Sequence, residues 1–415
     1  MKYDTVPLKS VLQPKGYIRG PLGSALKRGD MLETGVPVYE QQHAIYNSRT
    51  FRFFISPAKA IEMNRFAVEE NDLIISCSGT VGMVSLIQKN DPKGIISQAL
   101  LLLRVNPKIV DPVFLNYFFK SQEGYNSIIS RSSGSVQVNI SKRETIESIP
   151  IPLPPIDVQK KIAAILFALD EKIATNRAIN ENLERQALSI FYNLFAGSND
   201  SMETELGYIP RTFSVTKVGQ LPMIITDYVA NGSFASLKEN VNLYQEPNYA
   251  YFIRNTDLKA DSFGVYVDKH SYEFLSKSTL FGGEIIISNV GDVGSVHLCP
   301  VLDRPMTLGN NIIMLRPNEE LRYYLYIWFK YAQGQSLIQG IKGGSAQPKF
   351  NKTDFKSLPI AIPNDAMLCS FSSVVSPMFA LINSNKMENN RLIKIRDSIL
   401  PCLMSGEIDM SEVEF

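Results

Sequence analysis

DVQKKIAAILFALDEKIATNRAINENLERQALSIFYNLF, from Asp157 to Phe195, decides how the rest of this chain is arranged. Read as a helix, it sets Ile162, Leu166, Leu169, Ile173, Asn176, Asn180, Leu183, Ala187, Ile190 and Leu194 on one stripe, at alternating steps of four and three. This is a heptad seam with two asparagines at its middle. At ~1.5 Å per residue, ~39 residues make a rod of ~58 Å, and a seam of that length needs a second rod to cover it. The same chain supplies one. Adding 209 to each position gives Phe371, Val375, Met378, Ile382, Asn385, Asn389, Leu392, Arg396, Ile399 and Leu403, so both asparagines recur and Arg396 is the one break. Phe195-Ala196-Gly197 and Met404-Ser405-Gly406 end the two copies alike, with glycine where a helix stops in the left-handed conformation.

The duplication extends beyond the rods. Asp72-Leu-Ile-Ile-Ser-Cys-Ser-Gly-Thr-Val-Gly82 reads as a buried strand entering a glycine turn, and Glu284-Ile-Ile-Ile-Ser-Asn-Val-Gly-Asp-Val-Gly294 repeats it 212 residues later. At the same offset, Ser97 to Arg104 matches Gly309 to Arg316, a second apolar strand closed by arginine. Aromatic helices follow, Pro112 to Ser121 and Leu321 to Ala332, whose Phe114, Tyr117, Phe118 and Tyr324, Tyr326, Trp328 are expected in a core rather than under nucleobases. Next come small polar loops, Arg131 to Gln137 and Lys342 to Gln347. Proline-rich leads, Ile149 to Pro155 and Leu358 to Pro363, then hold the chain extended up to each rod. Gly197 to Gly207 is polar and turn-rich, a boundary expected to carry no structure of its own. The opening strands, Gly35 to Tyr39 and Tyr249 to Ile253, share only pattern, so the copies are expected to differ there in what they bind.

A chain of 415 residues with 45% hydrophobic content has enough apolar side chains for a core in each of two or three domains. No apolar run approaches the ~18 residues of a membrane span, and MKYDTVPLKS has no apolar signal core, so a cytoplasmic protein with no membrane partner is expected. Cys77, Cys299, Cys369 and Cys402 lie far apart with only three histidines in the chain, which argues against zinc and for reduced, mostly buried thiols. The net charge is +1, yet residues 1–150 hold 18 Lys and Arg against 13 Asp and Glu, and residues 206–362 hold 15 against 13. There is no GxxxxGK[ST] phosphate loop, no amino-methyltransferase clamp at the lone Pro154-Pro155 pair, and no nucleophile and base pairing, with His43, His270 and His297 mutually isolated. The chain reads as non-enzymatic.

These residues resemble the DNA-specificity subunit of type I restriction-modification systems. The carriers are IPIPLPPIDVQKKIAAILFALDEKIATNRAINENLERQ from Ile149 to Gln186, ISCSGTVG from Ile75 to Gly82, GSVQ from Gly134 to Gln137, and their second copies. The second signature is degraded, with Ala-Ile-Pro-Asn at 361–364 and Pro377 inside the helix, where a kink near Ser376 is expected. The resemblance implies an α+β, pseudo-twofold molecule. Residues 1–150 form target-recognition domain 1, 151–197 a spacer helix, 198–362 a linker and target-recognition domain 2, and 363–415 a C-terminal spacer helix and tail. The two helices pack as an antiparallel intramolecular coiled coil of fixed length. The implied role is reading both halves of a split site in double-stranded DNA. The implied partners are two modification subunits, which methylate adenine with S-adenosylmethionine, and restriction subunits, which use ATP and Mg. None of these cofactors belongs to this subunit. A coiled-coil scaffold that binds no DNA is the alternative.

Phosphate contacts position such a module and base-edge contacts give it specificity. The polar side chains suited to both concentrate at Arg131, Ser133, Ser135, Gln137 and Asn139 in the first copy, and at Lys342, Ser345, Gln347 and Lys349 in the second, with Arg254 beside a divergent strand. Gln137 and Gln347 either read adenine edges or fix their loop backbones. In the rods, antiparallel pairing puts Asn176 against Asn389 and Asn180 against Asn385, since both sums are 565. Paired amides penalise a slipped register, in which each would face an aliphatic side chain.

Overall fold

The computed structural model describes residues 3–21, 26–131, 139–196, 200–344 and 347–410. The chain forms two compact units, Met1–Asn176 with Met387–Phe415, and Arg177–Lys386. Both long helices are present, Ile156–Ala196 and Asp365–Ser405, each of 41 residues, and each unit contains part of both.

In the first unit, four antiparallel strands stand in the order Leu12–Arg19, Leu100–Val105, Leu73–Ser76, Val84–Leu86. Successive side chains of a strand point to opposite faces. Leu73, Ile75, Leu101 and Leu103 therefore enter one core, and Ile74, Leu100 and Leu102 another. Burial on both faces is why these strands read as unbroken apolar runs. A smaller sheet sets Val36–Tyr39 parallel to Ile95–Ile96, with Val38 opposite Ile95. The helix Pro112–Lys120 is capped by Asp111, whose carboxylate accepts from the Phe114 amide at 2.9 Å, with proline at the first helical position. Its Phe114, Tyr117 and Phe118 are buried in the first core.

The second unit repeats this plan. Its four-stranded sheet runs Met223–Asp227, Ile312–Pro317, Ile285–Ser288, Val296–Leu298. Ile285, Ile287, Ile313 and Leu315 enter one core, and Ile286, Ile312 and Met314 the other. Ala250–Ile253 lies parallel to Met306–Leu308, so the opening strands that share only pattern hold the same place in both units. Tyr324, Tyr326 and Trp328 of Glu319–Lys330 are core residues.

The seam is formed within each unit. In the first, Ile162 and Leu166 join Leu400 and Leu403 in the core, and Asn176 Nδ2 donates to Asn389 Oδ1 at 2.9 Å. In the second, Ala187 packs with Phe371, Val375 and Ile382, and Asn385 Nδ2 donates to Asn180 Oδ1 at 2.8 Å. Arg396, the break in the stripe, donates to Asp170 at 2.7 Å, and the Tyr117 hydroxyl donates to the other oxygen of that carboxylate.

Pro377 lies inside a helix that runs on from Asp365 to Ser405, and the carbonyl it deprives of a partner belongs to exposed Ser373 and can face water. Two sequence expectations change. The described part of the Gly197–Gly207 segment, which lies within the second unit, is structured. Ser201–Thr204 pairs antiparallel with Gly207–Pro210, and Thr204 Oγ1 closes the turn by accepting from Leu206 N and donating to Gly207 O. Of the four thiols, Cys77 and Cys299 are buried but Cys369 is exposed and Cys402 half-buried, because the last two lie on the long helices away from the seam. The proline-rich leads are themselves short strands, Pro150–Pro152 paired with Thr5–Pro7 and Pro359–Pro363 with Phe213–Lys217. Each belongs to a two-stranded sheet, where proline's missing N–H is tolerated on the open side.

Candidate nucleic-acid interface

Each unit brings its glycine turn against the chain at the far end of the polar loop, Asn139 and Ile140 in the first unit and Pro348 to Phe350 in the second, although more than 50 residues separate them in sequence. In the first unit the turn after Leu73–Ser76 is closed by Gly82 N donating to Ser76 O at 2.9 Å, and Ile140 N donates to Cys77 O at 3.0 Å, pairing Ser78 with Asn139. In the second, Gly294 N donates to Ser288 O at 2.9 Å and Phe350 N to Asn289 O at 3.1 Å, pairing Val290 with Lys349. A third bond recurs as well, Cys77 N to Ala99 O at 2.9 Å and Asn289 N to Asn311 O at 3.1 Å.

Gly79 and Gly291 head the two turns at φ of 69° and 77°, and nothing lies within 4 Å of where a Cβ would sit. Glycine is needed there for the left-handed backbone. Thr80 in one unit and Asp292 in the other follow as exposed side chains.

Around the second turn, Lys342, Gln347 and Lys349 are exposed, and the loop closes on itself through reciprocal bonds between Gly343 and Lys349 of 2.8 and 2.9 Å. Gly291 N donates to Pro348 O at 2.9 Å, which fastens the loop to the turn. Asn139 is exposed beside the first turn. Arg131 lies at the end of the helix Gln122–Ile129 and donates from Nη1 to Ser127 O at 2.8 Å, so one of its donors serves its own helix end. Ser133, Ser135, Gln137 and Ser345 lie outside the described residues. Arg254 forms a two-point ion pair with Asp257, of 3.0 and 2.6 Å, and Asp257 also caps the helix Asn255–Ala260 by accepting from Arg254 N. The coiled-coil asparagines Asn176, Asn180, Asn385 and Asn389 belong to the seam.

The sequence did not single out Gln41, Asn255, Lys259 or Asp292. Gln41 Oε1 accepts from the amides of Cys77 and Ser78 at 3.2 and 3.0 Å. In the second unit Asp292 Oδ2 accepts from Asn255 at 3.1 Å and Lys259 at 3.0 Å, and these two bonds hold its carboxyl below the usual range. Gln41 and Asn255 each begin the short helix that follows the parallel strand. The only signal for Gln41 and Asn255 was that common place, two residues past the ends of strands matched by pattern alone.

Among the described residues no group of three or more His, Cys, Asp and Glu is arranged to hold a metal ion. What the turn and loop offer is a protruding polar edge of lysine, amide, hydroxyl and carboxylate groups, the set that pairs with phosphates and base edges.

A model of the type I restriction modification DNA specificity domain matches residues 27–185 and again residues 212–395. The chain belongs to that DNA-specificity family. This specificity chain is 27% identical over 372 residues to the type I restriction enzyme MjaIX specificity subunit of Methanocaldococcus jannaschii, a match covering 84% of this chain and 82% of the relative. It is 23% identical to the HindI specificity subunit of Haemophilus influenzae, covering 76% of this chain and 81% of that one. The crystal structure of a type I restriction-modification S subunit from M. genitalium shares the fold, with a TM-score of 0.60 at 16% identity, over 97% of this chain and 96% of that one. Specificity subunits recognise DNA sequence and are not themselves catalytic, and the architecture here is the family's: mixed helix and sheet, a domain present twice, and long helices.

Proposed function

We propose that this specificity chain reads a bipartite site in double-stranded DNA, one half with the turn and loop of each unit, and recruits two modification subunits and the restriction subunits to that site. The observation that carries the reading is the repetition of one construction, a glycine turn bonded to the chain at the end of the polar loop, in two units whose exposed side chains differ: Thr80 and Asn139 in one, Asp292, Gln347 and Lys349 in the other. Two such edges with different side chains suit two different half-sites.

Recruitment is supported by apolar side chains left outside the seam. In the second unit Val374 and Leu381 are 51% and 47% exposed and one heptad apart on the same helix face, and in the first unit Ile395 is 41% exposed. Asp365–Ser405 is long and apolar enough by composition to cross a membrane. In this reading its uncovered stripe is instead occupied by helices of the modification subunits. S-adenosylmethionine, ATP and Mg belong to the partner subunits, and the assembly works in the cytoplasm.

The test is selection from a pool of random duplexes by the chain assembled with its modification subunit. Enrichment of two short conserved blocks separated by a fixed unread gap is expected. A pool that stays random, with the complex intact, would leave a protein scaffold as the better description.

A further inference from the structure

The two turns that carry the candidate contacts are fastened from the equivalent helix by different chemistry and at different points of the turn. In the first unit, Gln41 begins the helix Gln41–Ile45 and places one oxygen between two backbone amides, Cys77 N at 3.2 Å and Ser78 N at 3.0 Å. Cys77 N has a second acceptor in Ala99 O, whereas Ser78 N is the last amide held before the open tip at Gly79 and Thr80. In the second unit Asn255 stands at the start of the equivalent helix but is one methylene shorter. Its Nδ2 and the Lys259 ammonium instead hold the carboxylate of Asp292 at the turn itself. That ion pair has both side chains about half exposed, 54% for Lys259 and 49% for Asp292.

We propose that Gln41 in the first unit, and Lys259 with Asn255 in the second, are positioning residues that set the pose of each turn against the DNA base edges. This rests on the DNA-reading function proposed above. A recognition turn displaced by a fraction of an ångström loses the geometry that a two-point base contact requires. The sequence of each turn is therefore necessary for its reading and insufficient without its latch. The chemistry also makes the two latches respond differently to solution conditions. Gln41 is neutral and bonded to backbone, so salt leaves it in place. The exposed Lys259 and Asp292 pair is screened as ionic strength rises, so the second turn loosens first.

Gln41 serves as an acceptor only, which gives a discriminating substitution series. Gln41→Glu keeps the accepting oxygen, and Gln41→Leu keeps the bulk and removes it. A side chain that touched DNA directly would show the reverse preference, because the carboxylate of Gln41→Glu would be repelled by phosphate and would lack the amide donors. The experiment uses the full chain assembled with its modification subunit, selected on a random duplex pool, with affinity for the wild-type site measured by titration. Gln41→Leu is expected to bind that site about tenfold more weakly, the loss of roughly one to two net hydrogen bonds, and to relax base preference in one half-site only. Gln41→Glu is expected to stay within about twofold of wild type, and Lys259→Met to relax the other half-site alone. Without DNA, hydrogen exchange at the Ser78 amide should accelerate in Gln41→Leu while Leu73–Ser76 stays protected, which separates a loosened turn from an unfolded sheet.

Unchanged base preference in Gln41→Leu, or equal damage from Gln41→Leu and Gln41→Glu, overturns the latch while leaving DNA reading intact. A wild-type chain that enriches no sequence overturns both.

Discussion

Asn385 donates from Nδ2 to Asn180 Oδ1 at 2.8 Å inside the seam of the second unit. The residue numbers sum to 565, as do those of Asn176 and Asn389 in the first unit, bonded at 2.9 Å. A one-heptad slip that lowers the sum to about 558 would put all four amides against Ile382, Met378, Ile173 and Leu169, and the opposite slip would put Asn176 against Arg396. Replacing Asn180 alone by Leu leaves the Asn385 amide, 8% exposed, without its partner, and is expected to cost about 1–3 kcal/mol. Replacing both by Leu should restore or exceed wild-type stability while weakening the choice of register. Urea denaturation of the single and double variants checks this. A double variant less stable than the single one would show that the pair contributes more than it costs.

A buried carboxylate pinned by arginine occurs at the same place in each unit. Arg104 bonds both oxygens of Asp72 at 2.9 and 2.8 Å, and Arg316 pairs with Glu284 at 3.1 Å. Asp72 is 1% exposed, and Arg104→Met should destabilise the fold by about 3–5 kcal/mol, since a buried charge loses its partner. Burial already holds the Asp72 carboxyl above its ordinary value of 3.8, with Arg104 pulling it down. Removing Arg104 raises it further, so the acid form becomes favoured in the folded state over a wider range. The defect should be largest at neutral pH and shrink as pH falls toward the carboxylate range, measured by denaturation across pH.

His297 gives the opposite pH dependence. Burial, aided by the ammonium groups of Lys330 and Lys386, lowers its imidazole from 6.5 to about 4, Asp292 opposing and Lys259 adding to it. Ser295 Oγ lies 2.9 Å from its Nε2. The folded state binds this proton less readily than the unfolded chain, so the stabilisation is complete above pH 6.5 and is lost as pH falls through about 4. His297→Gln should flatten the stability profile between these values. A variant with the wild-type slope would place the acid sensitivity elsewhere.

Lys342 and Arg131 should separate in a salt titration of DNA binding. Lys342 is an exposed cation beside the second turn, whereas Arg131 commits one donor to Ser127 O. Lys342→Ala is expected to reduce the slope of log K against log salt by roughly one, as for a single lost phosphate contact. Arg131→Ala should change the slope less and fray the end of Gln122–Ile129. Equal slope changes would give Arg131 a phosphate contact alongside its helix cap.

The sequence by itself determined the duplication, the two long helices, their antiparallel register and the strand-turn blocks. Each of these is written in local periodicity or in residues repeated at a fixed offset. The seam needs only the heptad rule, and the register follows from where the asparagines fall within it. The family was legible for the same reason, because the motif around Pro154 and the first rod is contiguous.

Only the tertiary structure decided which side chains meet at each turn. Gln41 reaches amides 36 and 37 residues away, Arg104 reaches a carboxylate 32 residues away, and Arg254 is committed to Asp257. The Gln41 contact depends on where the strand Val36–Tyr39, paired with Ile95–Ile96, delivers the helix that follows it, and the Arg104 contact on the pairing of Leu100–Val105 with Leu73–Ser76. The equivalent place in the second unit is filled by Asn255 and Lys259, which share no motif with Gln41. Backbone geometry fixed which helix faces the turn and left the contact and its chemistry free to differ, so a pattern read along the chain found the turns but could not find what holds them.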